Sequence, residues 1–471
     1  MNKQITIDAS IFKAYDIRGI VDKNLHEETA EHIGKAIAYK VLESGQNTIN
    51  IGYDGRLSSP KLAQGLIKGI TQMGVNVINL GLVATPMTYF ANFYRSDNLP
   101  SANSSIMVTG SHNPPNYNGF KIVINSKTLY GDDIQELYKL AVTNLELNQN
   151  IGNLYELDIL PAYLNRIVSD IKLARPLKIA LDAGNGVAGI SAPQILKALG
   201  CEIIELFCDV DGNFPNHHPD PAQPHNLEDL IQAVKQHNCD YGIAFDGDGD
   251  RLGIVTKNGE IIYPDRQMVL YAQSALMHKP NGKIIFDVKC SANLAPEINK
   301  AGGQAIMYKT GHSLIKAYMK QEGAILGGEM SGHIFFNDRW YGFDDATYTA
   351  ARLAEILSTQ ENPSQTLENL PNSYSTPELQ VDCGKFENTN QFEIMEHFKS
   401  YIQSNIELQS EKISYMDGVR IDFEDGFGLA RPSNTTPVIV MRFEGKTKES
   451  LSKIQNLFKQ HLTQVAPFLE I

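Results

Sequence analysis

Apolar positions along the chain alternate between a strand-like and a helix-like period, and the alternation itself repeats. Over 27–42 the spacing predicts a helix with Ile33, Ile37 and Val41 on one face. From position 47 a unit begins. Asn50-Ile51-Gly52-Tyr53-Asp54-Gly55 reads as a strand, 60–73 as a helix stopped by Gly74, and 75–80 as the next strand. Lys178-Ile179-Ala180-Leu181-Asp182-Ala183-Gly184 starts the same plan again, with a helix over 193–199, a stop at Gly200 and a strand over 202–207. Lys283-Ile284-Ile285-Phe286-Asp287-Val288 starts it a third time, with a helix over 294–300, Gly302-Gly303 and a strand over 304–308. Strand–helix–strand units build parallel sheets covered by helices. The wide spacing of the repeat predicts three similar domains, each closing its own core.

After position 367 the texture changes. Pro363, Pro371 and Pro377, with Asn and Ser between, predict a linker over 358–377, and a hinge is expected near it. Beyond it lie a helix over 390–402, strands over 418–423 and 438–443, and a last helix over 448–465. The expected fold class is therefore α/β: three similar mixed α/β domains around a shared cleft plus a C-terminal α+β domain. The expected boundaries are 1–153, 154–257, 258–371 and 372–471.

Each repeat also contains a later apolar strand that opens into a polar loop. The first, over 106–108, leads into Thr109-Gly110-Ser111-His112-Asn113-Pro114-Pro115, the second, over 241–245, into Asp246-Gly247-Asp248-Gly249-Asp250-Arg251, and the third, over 324–326, into Gly327-Gly328-Glu329-Met330-Ser331-Gly332-His333. The fourth domain offers Arg431-Pro432-Ser433-Asn434-Thr435-Thr436-Pro437 between its strands. Ligands of open parallel sheets gather at the carboxyl ends of the strands, so equivalent loops from equivalent domains are expected to face one cleft.

Ser111 is expected at the tip of a stiff loop, with His112 beside it and Lys121 just downstream; the two prolines and 116–119 exclude immediate regular structure. A hydroxyl, an imidazole and an ammonium so placed suit covalent or phosphoryl chemistry, although a turn whose Ser and Asn satisfy the backbone explains this loop alone equally well. Asp246, Asp248 and Asp250 alternate with glycines. Three converging carboxylates need a hard cation. An EF-hand is excluded, because Arg251 stands where its glycine belongs and Lys257 where its bidentate Glu belongs; Mg²⁺ fits better. Glu329 and Ser331 suit sugar hydroxyls, and His333 suits proton exchange. Lys289 and His312, in Lys309-Thr310-Gly311-His312, follow strands of the same repeat, but each is a lone basic residue that a surface position would also explain. Arg431, Ser433, Asn434 and Thr435 suit a phosphate dianion. Asp16 and Arg18 pair as readily on a surface turn as in a site.

Length and charge narrow the class. The 471 residues allow about three or four domains. A formal charge of −13 argues against a nucleic-acid or anionic-membrane partner, so positive charge for an anionic ligand must be local. Five scattered cysteines without a CxxC pair fit reduced thiols and give no zinc signature. Neither a signal peptide nor a bilayer-length apolar run is legible, and a cytoplasmic protein is expected. Joined, the loops point to phosphoryl transfer on a sugar phosphate: a metal and cationic clamps are what lowers the barrier of an inert phosphate monoester.

With these residues in view, the chain resembles the α-D-phosphohexomutases, most closely the bacterial phosphomannomutase/phosphoglucomutase group. The resemblance runs through Ala14-Tyr15-Asp16-Ile17-Arg18-Gly19, 109–114, 246–251, 328–333 and 431–435, and covers essentially the whole chain. It implies a phosphoserine at Ser111, with Mg²⁺ held by that phosphate and by Asp246, Asp248 and Asp250. It implies interconversion of hexose 1- and 6-phosphates through a hexose 1,6-bisphosphate, which also serves as activator. Lys121 and His333 become the acid/base candidates, while Arg18, His112 and Arg251 would neutralise developing charge. Tyr15, Lys289 and His312 match substrate-contacting positions, and Gly311, Met330, Gly332 and Pro432 lie in the substrate-binding loops. The implied partner is a small hexose phosphate, the implied state a monomer or weak oligomer.

Met330 favours mannose or glucose, since glucosamine phosphate mutases usually carry Gln there. Phosphoglucosamine mutase is the alternative within the class. An aspartyl-phosphate phosphatase using Asp246 would need Thr or Val where Asp250 stands and would not need Ser111. A non-catalytic sugar-phosphate binding protein would need no proton-transfer pair.

Overall fold

The computed structural model describes residues 6–384, 390–405, 408, 411–434 and 436–469. It divides into two compact units, Met1–Pro264 with Ser331–Asn369, and Asp265–Met330 with Leu370–Ile471.

The first unit holds two sheets. In the 7-stranded sheet the order is Ile17–Ile20, Tyr117–Ile124, Ser105–Val108, Thr48–Tyr53, Asn76–Leu82, Leu154–Glu156, with Lys127–Thr128 paired to Tyr117–Ile124. Ser105–Val108, Thr48–Tyr53, Asn76–Leu82 and Leu154–Glu156 run parallel; Tyr117–Ile124 is antiparallel to both its neighbours. The four residues of Ser105–Val108 are all buried, which suits a strand covered on both faces. Helices Glu27–Glu43 and Ser59–Gln72 approach closely because small residues meet backbone. A Cβ on Gly69 would lie 2.0 Å from the Glu31 carbonyl oxygen, and one on Gly65 2.5 Å from that of Glu27. The second, 5-stranded sheet has the order Ile261–Ile262, Leu252–Thr256, Tyr241–Phe245, Lys178–Asp182, Glu202–Leu206, its last three strands parallel. The segment after Ser331 joins this unit through an antiparallel bridge between Arg251 and His333, and continues into helix Ala346–Ser358.

The second unit has three parallel strands in the order Gln304–Tyr308, Lys283–Asp287, Leu326–Gly328. It also has an antiparallel sheet in the order Tyr374–Ser375, Val438–Gly445, Gly426–Pro432, Val419–Phe423, Lys412–Ser414, with Leu379–Asp382 on Val438–Gly445. Helices Gln391–Ser404 and Lys448–Val465 bury Phe398, Ile402, Ile454, Phe458 and Leu462 in a core shared with Val419, Ile421 and Met441.

Five expectations need correction. The second-repeat helix is Ala188–Ala198 and carries Pro193 inside it, not at its start. The third-repeat loop follows Leu326–Gly328, not 324–326, because pairing to Lys283–Asp287 engages the two glycines. Regular structure resumes at Tyr117, one intervening residue past the prolines and inside the 116–119 segment, since antiparallel pairing to Ile17–Ile20 captures it. The segment 358–377 is no plain linker: Pro363 opens a helix, Pro363–Glu368, capped by Asn362. Arg431 and Pro432 end a strand, Gly426–Pro432, rather than lying in a loop.

Candidate active site

Ser111 is 3 % exposed and left-handed, with φ 50°. A non-glycine residue keeps such a conformation only where its surroundings over-determine it, and here they do. Its N–H donates to Thr109 Oγ1 at 2.7 Å. Arg56 donates to the carbonyls of Ser111 (2.7 Å), Asn113 (2.6 Å), Pro114 (2.6 Å) and Tyr117 (3.1 Å). Asp54 anchors Arg56 at 3.2 Å and accepts from Thr109 Oγ1 at 2.7 Å. Arg18, paired with Asp16, donates to the Gly110 carbonyl at 2.6 Å. The Ser111 hydroxyl lies 3.1 Å from His112 Nδ1. Desolvation of the His112 ring, with Arg251 and Arg18 nearby, pushes it well below the usual histidine range and keeps it neutral.

The second loop meets the first at Gly247, where a Cβ would fall 2.6 Å from the Ser111 carbonyl oxygen. Asp246 Oδ1 accepts from the main-chain N–H of Gly249, Asp250 and Arg251, each at 3.1 Å, which shapes the turn. Asp248 Oδ2 accepts from Thr85 Oγ1 at 2.5 Å and from Lys121 Nζ at 2.7 Å, and Lys121 also binds Asp250 Oδ2. Asp246 Oδ2, Asp248 Oδ1 and Asp250 Oδ1 remain buried without a hydrogen-bond donor. The three carboxylates offer ligand atoms within 4.8 Å of one another. Buried acceptors without donors are costly, and three at this spacing are the donor set of a hard divalent cation. Burial, then the charges of Asp250 and Asp248, push Asp246 well above the usual carboxylate range. Burial pushes Asp250 the same way, but Lys121, His333 and Arg251 outweigh it and hold it low.

His333 completes this group. Its Nε2 lies 3.2 Å from Arg251 Nε and 3.3 Å from Asp250 Oδ1, and its Nδ1 lies 3.0 Å from Ser331 Oγ. Gly332, at φ 106°, lets the strand-like bridge to Arg251 form. Asp344 joins Asp250 and His333 in a second buried cluster of ligand type.

The second unit builds a cationic group around the buried Asp287. That carboxylate accepts from Thr310 Oγ1 (3.0 Å), the Met330 N–H (3.2 Å) and Cys290 Sγ (3.1 Å), and sits 3.9 Å from Lys289 Nζ. Lys289 pairs with Glu378 at 2.5 Å. Burial lowers Lys289, but Glu378 and Asp287 outweigh it and keep the ammonium charged. Arg431 Nε bonds Asp417 Oδ2 at 3.0 Å, which also accepts from the Thr310 N–H at 3.0 Å. Gly311, at φ 139°, donates its N–H to Glu329 Oε1 at 2.6 Å and opens helix His312–Glu322. Ser433 bonds Thr436 through their hydroxyls at 2.9 Å.

Four family models match in succession: the alpha/beta/alpha domains I, II and III of phosphoglucomutase/phosphomannomutase over 9–147, 161–259 and 263–374, and the C-terminal domain over 393–460. The chain belongs to the phosphoglucomutase/phosphomannomutase family. It is 53 % identical over 456 residues to a phosphoglucomutase of Neisseria meningitidis, covering 96 % of each chain. It is 51 % identical over 466 residues to a phosphomannomutase/phosphoglucomutase of Pseudomonas putida, covering 98 % of this chain and 97 % of that one. A crystal structure of a phosphoglucomutase/phosphomannomutase family protein from Burkholderia thailandensis superposes with a TM-score of 0.93 at 48 % identity, covering 99 % of both chains. The fold class and the isomerase reading drawn from the sequence agree with this membership. Among the described residues no helix is long and apolar enough to cross a membrane.

Within this family fold, the first unit brings together Ser111, His112, Lys121, Arg18, Asp246, Asp248, Asp250, Arg251, Ser331, Gly332 and His333, with half-buried Tyr15 just ahead of Arg18's strand. The second unit holds Lys289, Gly311, His312, Glu329, Met330, Arg431, Pro432, Ser433 and Asn434. Thr435 lies outside the described residues. Lys121 is not part of the Ser111 turn but stands on strand Tyr117–Ile124, paired opposite Met107, from where it reaches the aspartates. Sequence reasoning missed Asp54, Arg56, Asp287, Asp344, Glu378 and Asp417. Asp54 and Asp287 had a signal: each ends the first strand of a repeat, where ligand-side residues of parallel sheets collect.

Proposed function

We propose that the protein interconverts the 1- and 6-phosphates of mannose, glucose or both, through a phosphoserine at Ser111 and a hexose 1,6-bisphosphate that also primes the enzyme. The observation that carries this reading is the Ser111 hydroxyl, held in a left-handed turn against a loop whose three buried carboxylates keep one oxygen each without a donor.

Asp246, Asp248 and Asp250, with the phosphate on Ser111, would hold Mg²⁺, which when bound supplies Lewis-acid stabilisation of the transferring phosphoryl group. A sugar hydroxyl attacks the phosphorus, the bond from phosphorus to Ser111 Oγ breaks, and the hydroxyl proton passes to a base; the return step reverses these changes with the other phosphate. His333 and Lys121 are the proton-handling residues. Arg18, His112 and Arg251 stabilise the charge that develops near Ser111. Glu329 and Ser331 bind sugar hydroxyls. Lys289, Arg431, Ser433 and Asn434, with Thr435 in the same segment, take the phosphate that is not reacting. Their preference for a dianion, independent of which sugar oxygen carries it, suits a substrate that binds in two orientations. Met330 supports mannose and glucose over glucosamine. Unpaired thiols at Cys201, Cys208, Cys239, Cys290 and Cys383 suit a cytoplasmic setting.

Phosphorus NMR tests the proposal, with Mg²⁺, a trace of hexose bisphosphate, and mannose, glucose or glucosamine 1-phosphate in separate samples. Conversion of the first two to 6-phosphates is expected. Conversion of glucosamine 1-phosphate alone overturns the sugar assignment, release of inorganic phosphate points to a phosphatase, and no change in any sample removes the mutase reading.

A further inference from the structure

The segment Asn216-His217-His218-Pro219-Asp220 took no part in the sequence reading, yet it reaches the nucleophile loop. His218 Nε2 bonds the main-chain carbonyl of His112. That oxygen can only accept, so His218 carries its proton on Nε2. The other carbonyls of the loop are held from the first sheet: Gly110 by Arg18, and Ser111, Asn113 and Pro114 by Arg56. His218 instead follows strand Glu202–Leu206 of the second sheet, the same sheet whose strand Tyr241–Phe245 delivers the three aspartates.

His218 is itself braced. His217 Nε2 lies 3.0 Å from Asp182 Oδ2, and His217 Nδ1 lies 3.0 Å from the His218 carbonyl oxygen. Both ring nitrogens face acceptors, so both bonds exist together only when His217 is the imidazolium ion. The fully buried Asp182, at the end of strand Lys178–Asp182, supplies the opposite charge, and its Oδ1 accepts from the Gly184 N–H at 2.8 Å. Gly184 is left-handed at φ 52°, and a Cβ there would come within 3.2 Å of both His217 Cε1 and Pro219. Asp182, His217 and His218 thus form a short rigid strut ending on the residue next to Ser111.

We infer that His218, braced by the Asp182–His217 pair, is a positioning residue that fixes the Ser111 loop in register with the Asp246–Asp250 loop. It touches no reacting atom. The aspartate loop is also held to the first sheet by Thr85 and Lys121, which bond Asp248, and by the packing of Gly247 on the Ser111 carbonyl, but the His218 bond is the one that grips the main chain on the far side of Ser111. An error of about 1 Å in such a site costs about 100-fold in rate. The inference rests on the mutase reading for its kinetic consequence, but not for its structural one.

The test compares His218→Met, of similar size but without a donor, with His218→Gln, whose side-chain amide reaches toward the Nε2 position. For His218→Met we expect kcat to fall about 10- to 100-fold with KM for hexose 1-phosphate within about twofold. In the same variant, amide hydrogen exchange across 108–116 should speed up. His218→Gln should recover most of kcat and of the protection. His217→Gln, which keeps one of the two bracing bonds, should fall between. A rise in KM with kcat unchanged, or wild-type kcat and exchange in His218→Met, overturns the strut. Should His218→Met fail to fold, full activity and wild-type exchange in His217→Gln overturn it equally. An inactive wild-type protein would remove the mutase reading, while the exchange measurement would still decide the strut.

Discussion

Arg56 is enclosed by protein on every side, and its guanidinium serves one carboxylate and four main-chain oxygens around Ser111. A planar fork can do this where a point charge cannot. Arg56→Met strands the Asp54 charge and releases the loop, so unfolding free energy should drop by about 3–5 kcal/mol and turnover by about 100-fold or more. Urea denaturation and initial rates measure both, and a variant that loses neither contradicts the pinning. Lys121 makes the opposite case. Its ammonium binds Asp248 and Asp250, and although burial lowers it, those two charges hold it well above the usual lysine range. It neutralises part of the charge a cation would use. Lys121→Met should therefore bind Mg²⁺ at least about tenfold tighter, since close unit charges interact by several kcal/mol even at an effective dielectric near 20, while losing most turnover. Calorimetric titration with Mg²⁺ reads the first, and weaker binding sinks the argument. Ser111 and the three aspartates were legible in the sequence because glycine and proline force their turns. Arg56 and His218 were not, because they act on main-chain oxygens distant in sequence, and a carbonyl carries no residue-type signal.

At the scale of elements, periodicity located the strands and helices of the repeats well wherever the residues were apolar. Lys283–Asp287, Leu294–Lys300, Gln304–Tyr308, Tyr241–Phe245 and Lys448–Val465 stand where the pattern placed them, within one residue. It failed at two elements that glycine or proline disguised. Gly426–Pro432 begins Gly-Phe-Gly and was hidden by its glycines, although Gly428 is needed there: a Cβ would meet the Phe458 ring at 2.3 Å. Pro193 was read as a helix start by the rule that favours proline in the first turn, but the helix begins at Ala188. Gly119 shows the same conflict and carries a prediction. It lies in strand Tyr117–Ile124 opposite Arg18, and a Cβ would fall 1.9 Å from the Ile17 carbonyl oxygen. Gly119→Ala must push strand Ile17–Ile20 outward, taking Arg18 from the Gly110 carbonyl. Overpacking of this kind costs about 1–3 kcal/mol, so thermal unfolding should come several degrees earlier and kcat should fall with it. A variant of wild-type melting temperature and activity would show that the strand pair yields without moving Arg18.

The whole chain carries a formal charge of −13, yet the ligands proposed for it are anions and its metal-type cluster is acidic. Bulk charge therefore opposes sugar-phosphate binding, and the local cations Arg18, Arg251, Lys289 and Arg431 must overcome it. All four already face internal carboxylates: Arg18 faces Asp16, Arg251 faces Asp246, Lys289 faces Glu378 and Arg431 faces Asp417. The cluster of Asp246, Asp248 and Asp250 lies wholly in the first compact unit, and the Lys289–Arg431 group wholly in the second. This division makes a prediction for the molecule as a whole. A ligand that binds only the folded state adds RT ln(1 + [L]/Kd), about 2.7 kcal/mol at a hundredfold excess over Kd. Mg²⁺ without sugar phosphate should stabilise the first unit alone, raising protection from hydrogen exchange around 241–256 and leaving 412–432 unchanged. Hexose 6-phosphate without metal should protect the second unit, around Lys289 and Arg431. Asp246→Asn combined with Asp248→Asn should abolish the response to Mg²⁺ and preserve the response to hexose phosphate. Equal protection of both units by Mg²⁺, or a Mg²⁺ response that survives the double substitution, would place the cation somewhere other than on the three oxygens that the fold leaves without donors.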